Sequence, residues 1–103
     1  MYEMISSLVK GQVITFNYGK KTYKLGIHSE SDGTKHMNVR EVGKYGVEST
    51  MNVGKATKNI IWLYDYNMMG VRSEGKMHIS NITDITLMDA QGVIREGGMS
   101  VNI

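Results

Sequence analysis

Apolar and polar residues alternate with a period of two along most of this chain, in short runs set apart by Gly, Asn, Asp and Ser. Ile14, Phe16 and Tyr18 share one parity, as do Tyr23, Leu25 and Ile27. Met37 and Val39 continue the pattern, then Trp62, Tyr64 and Tyr66, and finally Met99, Val101 and Ile103. Side chains of a strand point alternately to opposite faces, so each run describes a ribbon with one face buried and the other wet. Helical spacing occurs once, in Met4, Ile5, Leu8 and Val9, with Gly11 placed to stop the helix. A chain of 103 residues is expected to form a single domain, residues 1–103, around one core. The expected fold is all-β: a small SH3-like barrel, partly open, of six or seven antiparallel strands. A short N-terminal helix would lie over one mouth, and closure would remove sticky edges.

The strands can be placed from the turn residues between them. The first spans about Gln12–Tyr18 and the second about Thr22–His28, joined through Gly19-Lys20-Lys21. Asp32-Gly33 supplies left-handed positions for the next turn, followed by a third strand over Lys35–Val42. Residues 43–58 carry a weak pattern punctuated by Gly43, Gly46 and Gly54, and read as a functional loop or a loop with a short strand around Val47–Val53. Asn59–Asn67 is the strongest strand, apolar on both faces at its start and therefore central. Gly75–Ile79 and Thr83–Met88 follow, with a bend at Ser80-Asn81-Ile82, and Val93–Arg95 is expected to pair with Met99–Ile103.

Composition removes several kinds of chemistry. With no cysteine there are no disulfides, thiolate metal sites or thiol nucleophiles, which fits a reducing compartment. The N-terminus lacks a basic segment followed by an apolar run, and no apolar stretch approaches the ~20 residues of a membrane helix, so a cytoplasmic location is expected. His28, His36 and His78 stand in no metal-ligand spacing, and they read as surface histidines. Asp65 and Asp84 are nominal acid/base candidates only, and no nucleophile elbow or phosphate loop is present. No catalytic residue, metal or cofactor is expected.

Charge is uneven although the net value is only +2. Residues 10–58 hold nine lysines and arginines against four acids, whereas residues 59–103 hold three against five. A solvated surface explains this, and so does a mildly basic patch for an anionic partner. Lys20, Lys21 and Lys24 on the first hairpin, with Arg40 and Lys44 on the third strand and its exit, are the candidate cations, and they could fall on one side of a barrel. The run Trp62–Tyr66 also has two readings. Trp62 and Tyr64 could seal the interior, with hydroxyls at the rim. Alternatively Tyr64 or Tyr66 could face outward and stack a base while the cations grip phosphate. Among nine methionines, Met37, Met77 and Met88 suit core filling, and Met68-Met69 beside Gly70 suits a contact surface.

Three islands resemble a known family. The segment from Met4 to Tyr18, a short helix running into Val13-Ile14-Thr15-Phe16-Asn17-Tyr18, resembles the opening of WYL-type domains. Trp62-Leu63-Tyr64 is similar to a permuted form of their Trp-Tyr-Leu strand, and Met77-His78-Ile79-Ser80-Asn81-Ile82 to their strand-and-bend. The resemblance implies an SH3-like barrel that binds nucleic acid or a nucleotide-like ligand in a regulatory role. The family's basic pair falls on His78 and Asn81, so one charge is lost and the other depends on pH.

These features describe a non-enzymatic binding module for nucleic acid, a nucleotide or another anionic ligand. Its candidate ligand-binding residues are Lys20, Lys21, Lys24, Arg40, Lys44, Tyr66 and His78. The alternative is a small protein-inhibitor or assembly module, of a kind a virus could encode, acting by protein contact or homo-oligomerisation. In that case Met68-Met69 would cover a partner or Met99–Ile103 would extend a partner's sheet.

Overall fold

A computed structural model describes residues 1–89 and the backbone of 94–95. It holds one helix, α1 (Tyr2–Ser6), and the strands β1 (Val13–Tyr18), β2 (Lys21–Ser31), β3 (Thr34–Gly43), β4 (Gly46–Ala56), β5 (Ile60–Tyr66), β6 (Arg72–His78), β7 (Ile82–Met88) and β8 (Ile94–Arg95). The strands form one antiparallel sheet in the order β6-β5-β4-β3-β2-β1-β7-β8. The first six make a meander. A single 3-10 turn, Ile79–Asn81, then carries the chain across so that β7 pairs with β1. The remaining expected partner strand, Met99–Ile103, lies outside the described residues.

The inner face is built by rows of apolar side chains set by register. Leu87, Ile14, Leu25, Val39 and Met51 follow one another across β7, β1, β2, β3 and β4. Val53 faces Leu63, and Ile61 lies between Ala56 and Met77. Ile5 and Leu8 drop from the N-terminal segment onto this surface and join a single core cluster with Phe16, Ile61, Met77 and Ile82. That cluster contains residues of both β6 and β7, so the sheet curls round its own apolar face. Lys35 Nζ donates to the Leu8 carbonyl at 2.7 Å and ties the end of the N-terminal segment to β3.

The barrel expectation is corrected here. Among the described residues β6 and β8 end the strand order and do not pair, so the sheet is curled but open. Bulges let the long strands bend. Register shifts occur between Ile27 and Ser29, between Glu41 and Val42, between Val53 and Lys55, and where β7 carries an extra residue opposite Thr15–Asn17. At the last of these Asp84 takes a left-handed φ of 53° and accepts a hydrogen bond from Asn17 Nδ2 at 2.9 Å. The Asp32-Gly33 turn forms as expected, with φ of 50° and 75°.

For residues 43–58 the loop reading falls, and the strand expected around Val47–Val53 is present and longer than expected. These residues form a tight turn at Lys44-Tyr45 and then β4, an eleven-residue strand whose first half buries nothing. Its ladder bonds to β3 hold this half in place, so apolar alternation is not required and the sequence shows none. A further correction is the parity of β5. Ile61 and Leu63 face the core, and Trp62, Tyr64 and Tyr66 face outward. Both parities are apolar at the start of the strand, so the neighbours decide. Ile61 and Leu63 lie across from Met77, Ala56, Gly75 and Val53, and Trp62 and Tyr64 lie across from Lys55, Lys76, Asn52 and Glu74.

Candidate functional site

The outer face of the sheet collects polar and aromatic side chains at the positions that alternate with the core. On β5 and β6 the register sets Trp62 between Lys55 and Lys76, and Tyr66 opposite Arg72. Lys76 Nζ lies 5.5 Å from the centre of the Trp62 ring. The Arg72 guanidinium lies 4.4 Å from the centre of Tyr64 and 5.6 Å from that of Tyr66. It donates to the Tyr66 hydroxyl at 3.0 Å and pairs with Glu74 at 2.8 Å. The Tyr66 hydroxyl, followed by Glu74, raises the Arg72 pKa above its ordinary value, so its charge is permanent. Tyr64 and Tyr66 meet edge to face at 6.0 Å.

An open cleft of about 470 Å³ runs along this stripe, lined by Gly54, Lys55, Trp62, Tyr64, Arg72 and Lys76. Gly54 sits at the β4 bulge with the Tyr64 ring against its backbone; a Cβ there would come within 3.2 Å of the ring. Trp62 is 40% exposed and Tyr66 52% exposed, high values for aromatic side chains in the middle of a sheet. Just beyond them the β5–β6 tip projects Met68 and Met69 fully into solvent. The Asn67 side chain accepts from the backbone N–H groups of Met69 and Val71, both at 2.9 Å, and fixes that turn.

A second group lies on the same outer face. Thr86, Thr15, Lys24, Arg40 and Thr50 form one row across β7, β1, β2, β3 and β4. Arg40 Nε and Thr15 Oγ1 are buried without a hydrogen-bond partner on either side of Lys24. Arg40 also borders a cleft of about 210 Å³ with Gln12, Gly26, His28 and Asn38. One strand, β4, separates Arg40 from the aromatic stripe, about 10 Å by ordinary strand spacing.

Of the candidates named from sequence, Lys24 and Arg40 are therefore adjacent, and Tyr66 and His78 lie at opposite ends of the aromatic stripe on the same face. Lys21 has the inner parity and pairs with Glu41 at 3.2 Å, which raises its pKa above the usual lysine value. Glu41 is held below the usual carboxylate range, first by a hydrogen bond with Glu48 and then by Lys21. Lys20 occupies the β1–β2 turn, and Lys44 the β3–β4 turn, where it lies 5.6 Å from the Tyr45 ring. Of the five hairpin cations, Lys24 and Arg40 thus share the outer face, Lys20 and Lys44 lie in turns, and Lys21 is paired at an inner-parity position. Sequence reasoning missed Lys55, Lys76 and Arg72. The signal was the shared parity of Arg72, Glu74 and Lys76 on the strand after the aromatic run. It also missed the approach of His28 to His36, ring centres 6.2 Å apart. No group of three His, Asp or Glu side chains among the described residues could hold a metal ion. No helix among them is long and apolar enough to cross a membrane. Comparison of the chain with protein-family models, curated proteins and solved structures gave no match.

Proposed function

We propose that this protein is a non-enzymatic binding module that takes single-stranded nucleic acid, or a shorter nucleotide-like ligand, on the outer face of its sheet. One observation carries the reading: three aromatic rings in a row on solvent-facing positions, interleaved with Lys55, Lys76 and Arg72 and continued by Lys24 and Arg40. Every base offers a π face, so such a platform stacks bases without regard to sequence while cations take the phosphates. A base enters over Trp62, or stacks on the Arg72 guanidinium plane that already covers Tyr64. Arg40, which borders the neighbouring cleft, supplies a further cation for phosphate at the far end. The resemblance to WYL-type domains supports the same class of ligand, and a curled sheet whose β7 returns beside β1 supports the SH3-like affinity of the fold.

Trp62 is the chain's only tryptophan, which makes the test direct. Titration with a labelled single-stranded oligonucleotide at low salt should raise anisotropy and quench tryptophan fluorescence together, with affinity falling steeply as salt rises. Absence of binding at low salt, or binding with unchanged Trp62 emission, removes the reading. A protein-contact role is favoured by a different feature, the projecting Met68-Met69 tip with Val71 60% exposed. Under that reading Met68→Ser with Met69→Ser abolishes capture of a partner, and Trp62→Ala leaves it intact.

A further inference from the structure

We propose that the chain self-associates through β6, which pairs antiparallel with β6 of a second copy about a two-fold axis at Gly75. This stands independently of the ligand reading. β6 closes one side of the strand order, and its residues are exposed except for Gly75 and Met77. It is also regular, with seven consecutive pairs to β5 and no bulge. An unbroken edge of this kind is a template for another strand.

The backbone shows which groups are available. The Ile79 N–H turns toward β5 and donates to the Asn59 carbonyl at 2.9 Å, and the His78 N–H turns away and donates to the Tyr18 hydroxyl at 3.3 Å. By alternation the N–H and C=O groups of Arg72, Glu74 and Lys76 also point away from β5. These are the groups a second copy would use.

Charge selects the register. An axis at Glu74 sets that residue against itself and Arg72 against Lys76. An axis at Lys76 sets lysine against lysine. An axis at Ser73 opposes Arg72 and Glu74 but overlaps only the first few residues of the strand. The axis at Gly75 overlaps β6 from Arg72 to His78, leaves the His78 N–H on the Tyr18 hydroxyl, and places Glu74 opposite Lys76 of the second copy twice, once in each direction. Opposite charges directly across an antiparallel pair stabilise it and like charges destabilise it. In this register the two Gly75 residues face each other as a non-hydrogen-bonded pair, where Cα atoms approach to about 4.5 Å and the missing side chain removes the obstacle. Such a contact is isologous, and it would stop at two copies.

Sedimentation velocity over micromolar to millimolar concentrations, without nucleic acid, tests this. The mass should rise from the 11.5 kDa monomer toward twice that value. Hydrogen exchange at the Glu74 and Lys76 amides of the unmodified protein should slow over the same range. Lys76→Glu alone, or Glu74→Lys alone, should weaken association roughly tenfold or more, and combining them should restore it, because each change sets two like-charge pairs across the axis. Both side chains are exposed, so the fold should survive, and far-UV circular dichroism checks it. A monomer at every concentration overturns the proposal, including one whose edge is covered by another segment of the same chain. So does a dimer that the double exchange fails to restore.

Discussion

Arg72 shows how one side chain can organise a face. Its guanidinium is spent on the Tyr64 ring, the Tyr66 hydroxyl and the Glu74 carboxylate at once. A lysine has one point charge and no plane, so Arg72→Lys should loosen both tyrosines. The oligonucleotide should bind the variant less tightly with an unchanged salt slope, since the number of charges is the same. Trp62 contributes differently, through stacking. Trp62→Ala should cost about 1–3 kcal/mol of binding free energy, read from anisotropy, with little change in thermal stability because the ring is already well exposed. Glu41 and Lys21 belong to the pH profile. Glu41 has a folded pKa below its unfolded value, so its contribution is present above the ordinary glutamate range and is lost as pH falls through the lowered pKa. Lys21 and Tyr23 are both raised, Lys21 chiefly by its hydrogen bond to Glu41 and Tyr23 chiefly by burial. Their contributions are complete below their ordinary values and are lost as pH rises through the raised ones. Thermal unfolding of Glu41→Gln should therefore show a flatter acid limb than the unmodified protein, and a weaker alkaline limb as well. An acid limb of unchanged steepness would show that Glu41 contributes nothing.

Elements differ in what holds them, and the difference decides how well each can be read from sequence. β2 lies in the middle of the core row, and Leu25 is completely buried between Ile14 and Val39. Leu25→Ala should cost about 2–5 kcal/mol in denaturant unfolding. The exposed half of β4 is held by its ladder, so Val47→Ala should stay within about 0.5 kcal/mol. Equal losses would place the core wrongly. Strands that bury a stripe print it as alternation, and β1, β2 and β3 were legible for that reason, as was the turn at Asp32-Gly33. β4 was not, because backbone bonds leave no mark on side-chain pattern over Val47–Thr50. The parity of β5 was not legible either. Ile60–Tyr66 offers two apolar stripes, and the choice between them is made by Ala56, Gly75 and Met77 on other strands. The ends of β2 and β3 ran past the alternation because bulges, such as the one after Ile27, shift parity without ending the ladder. The candidate site inherited both limits: Tyr66, Lys24 and Arg40 could be named from local spacing, while Lys55, Lys76 and Arg72 join them only through pairing.

At the scale of the whole molecule, the cations of the first four strands divide between the outer face, the hairpin turns and one inner ion pair, and that division can be measured. Lys24 and Arg40 stand side by side on the outer face, in the plane of the aromatic stripe. Lys20 and Lys44 sit in hairpin turns, and Lys21 is neutralised by Glu41. A ligand lying along the sheet releases counterions only where its phosphates meet cations on that surface. For a single strand each such contact contributes roughly 0.7 to the slope of log affinity against log salt. Removing Lys24 and Arg40 together, as Lys24→Gln with Arg40→Gln, should lower that slope by about 1.4 on the same scale. Lys20→Gln with Lys44→Gln removes the same formal charge and should leave the slope nearly unchanged, with a modest loss of affinity from the weaker overall field. Net charge is identical in the two double variants, so a common loss in both would mean that the protein attracts polyanions by total charge alone and that the face has no register with its ligand. A loss confined to the first variant ties binding to the row that Thr15, Lys24, Arg40 and Thr50 build across four strands.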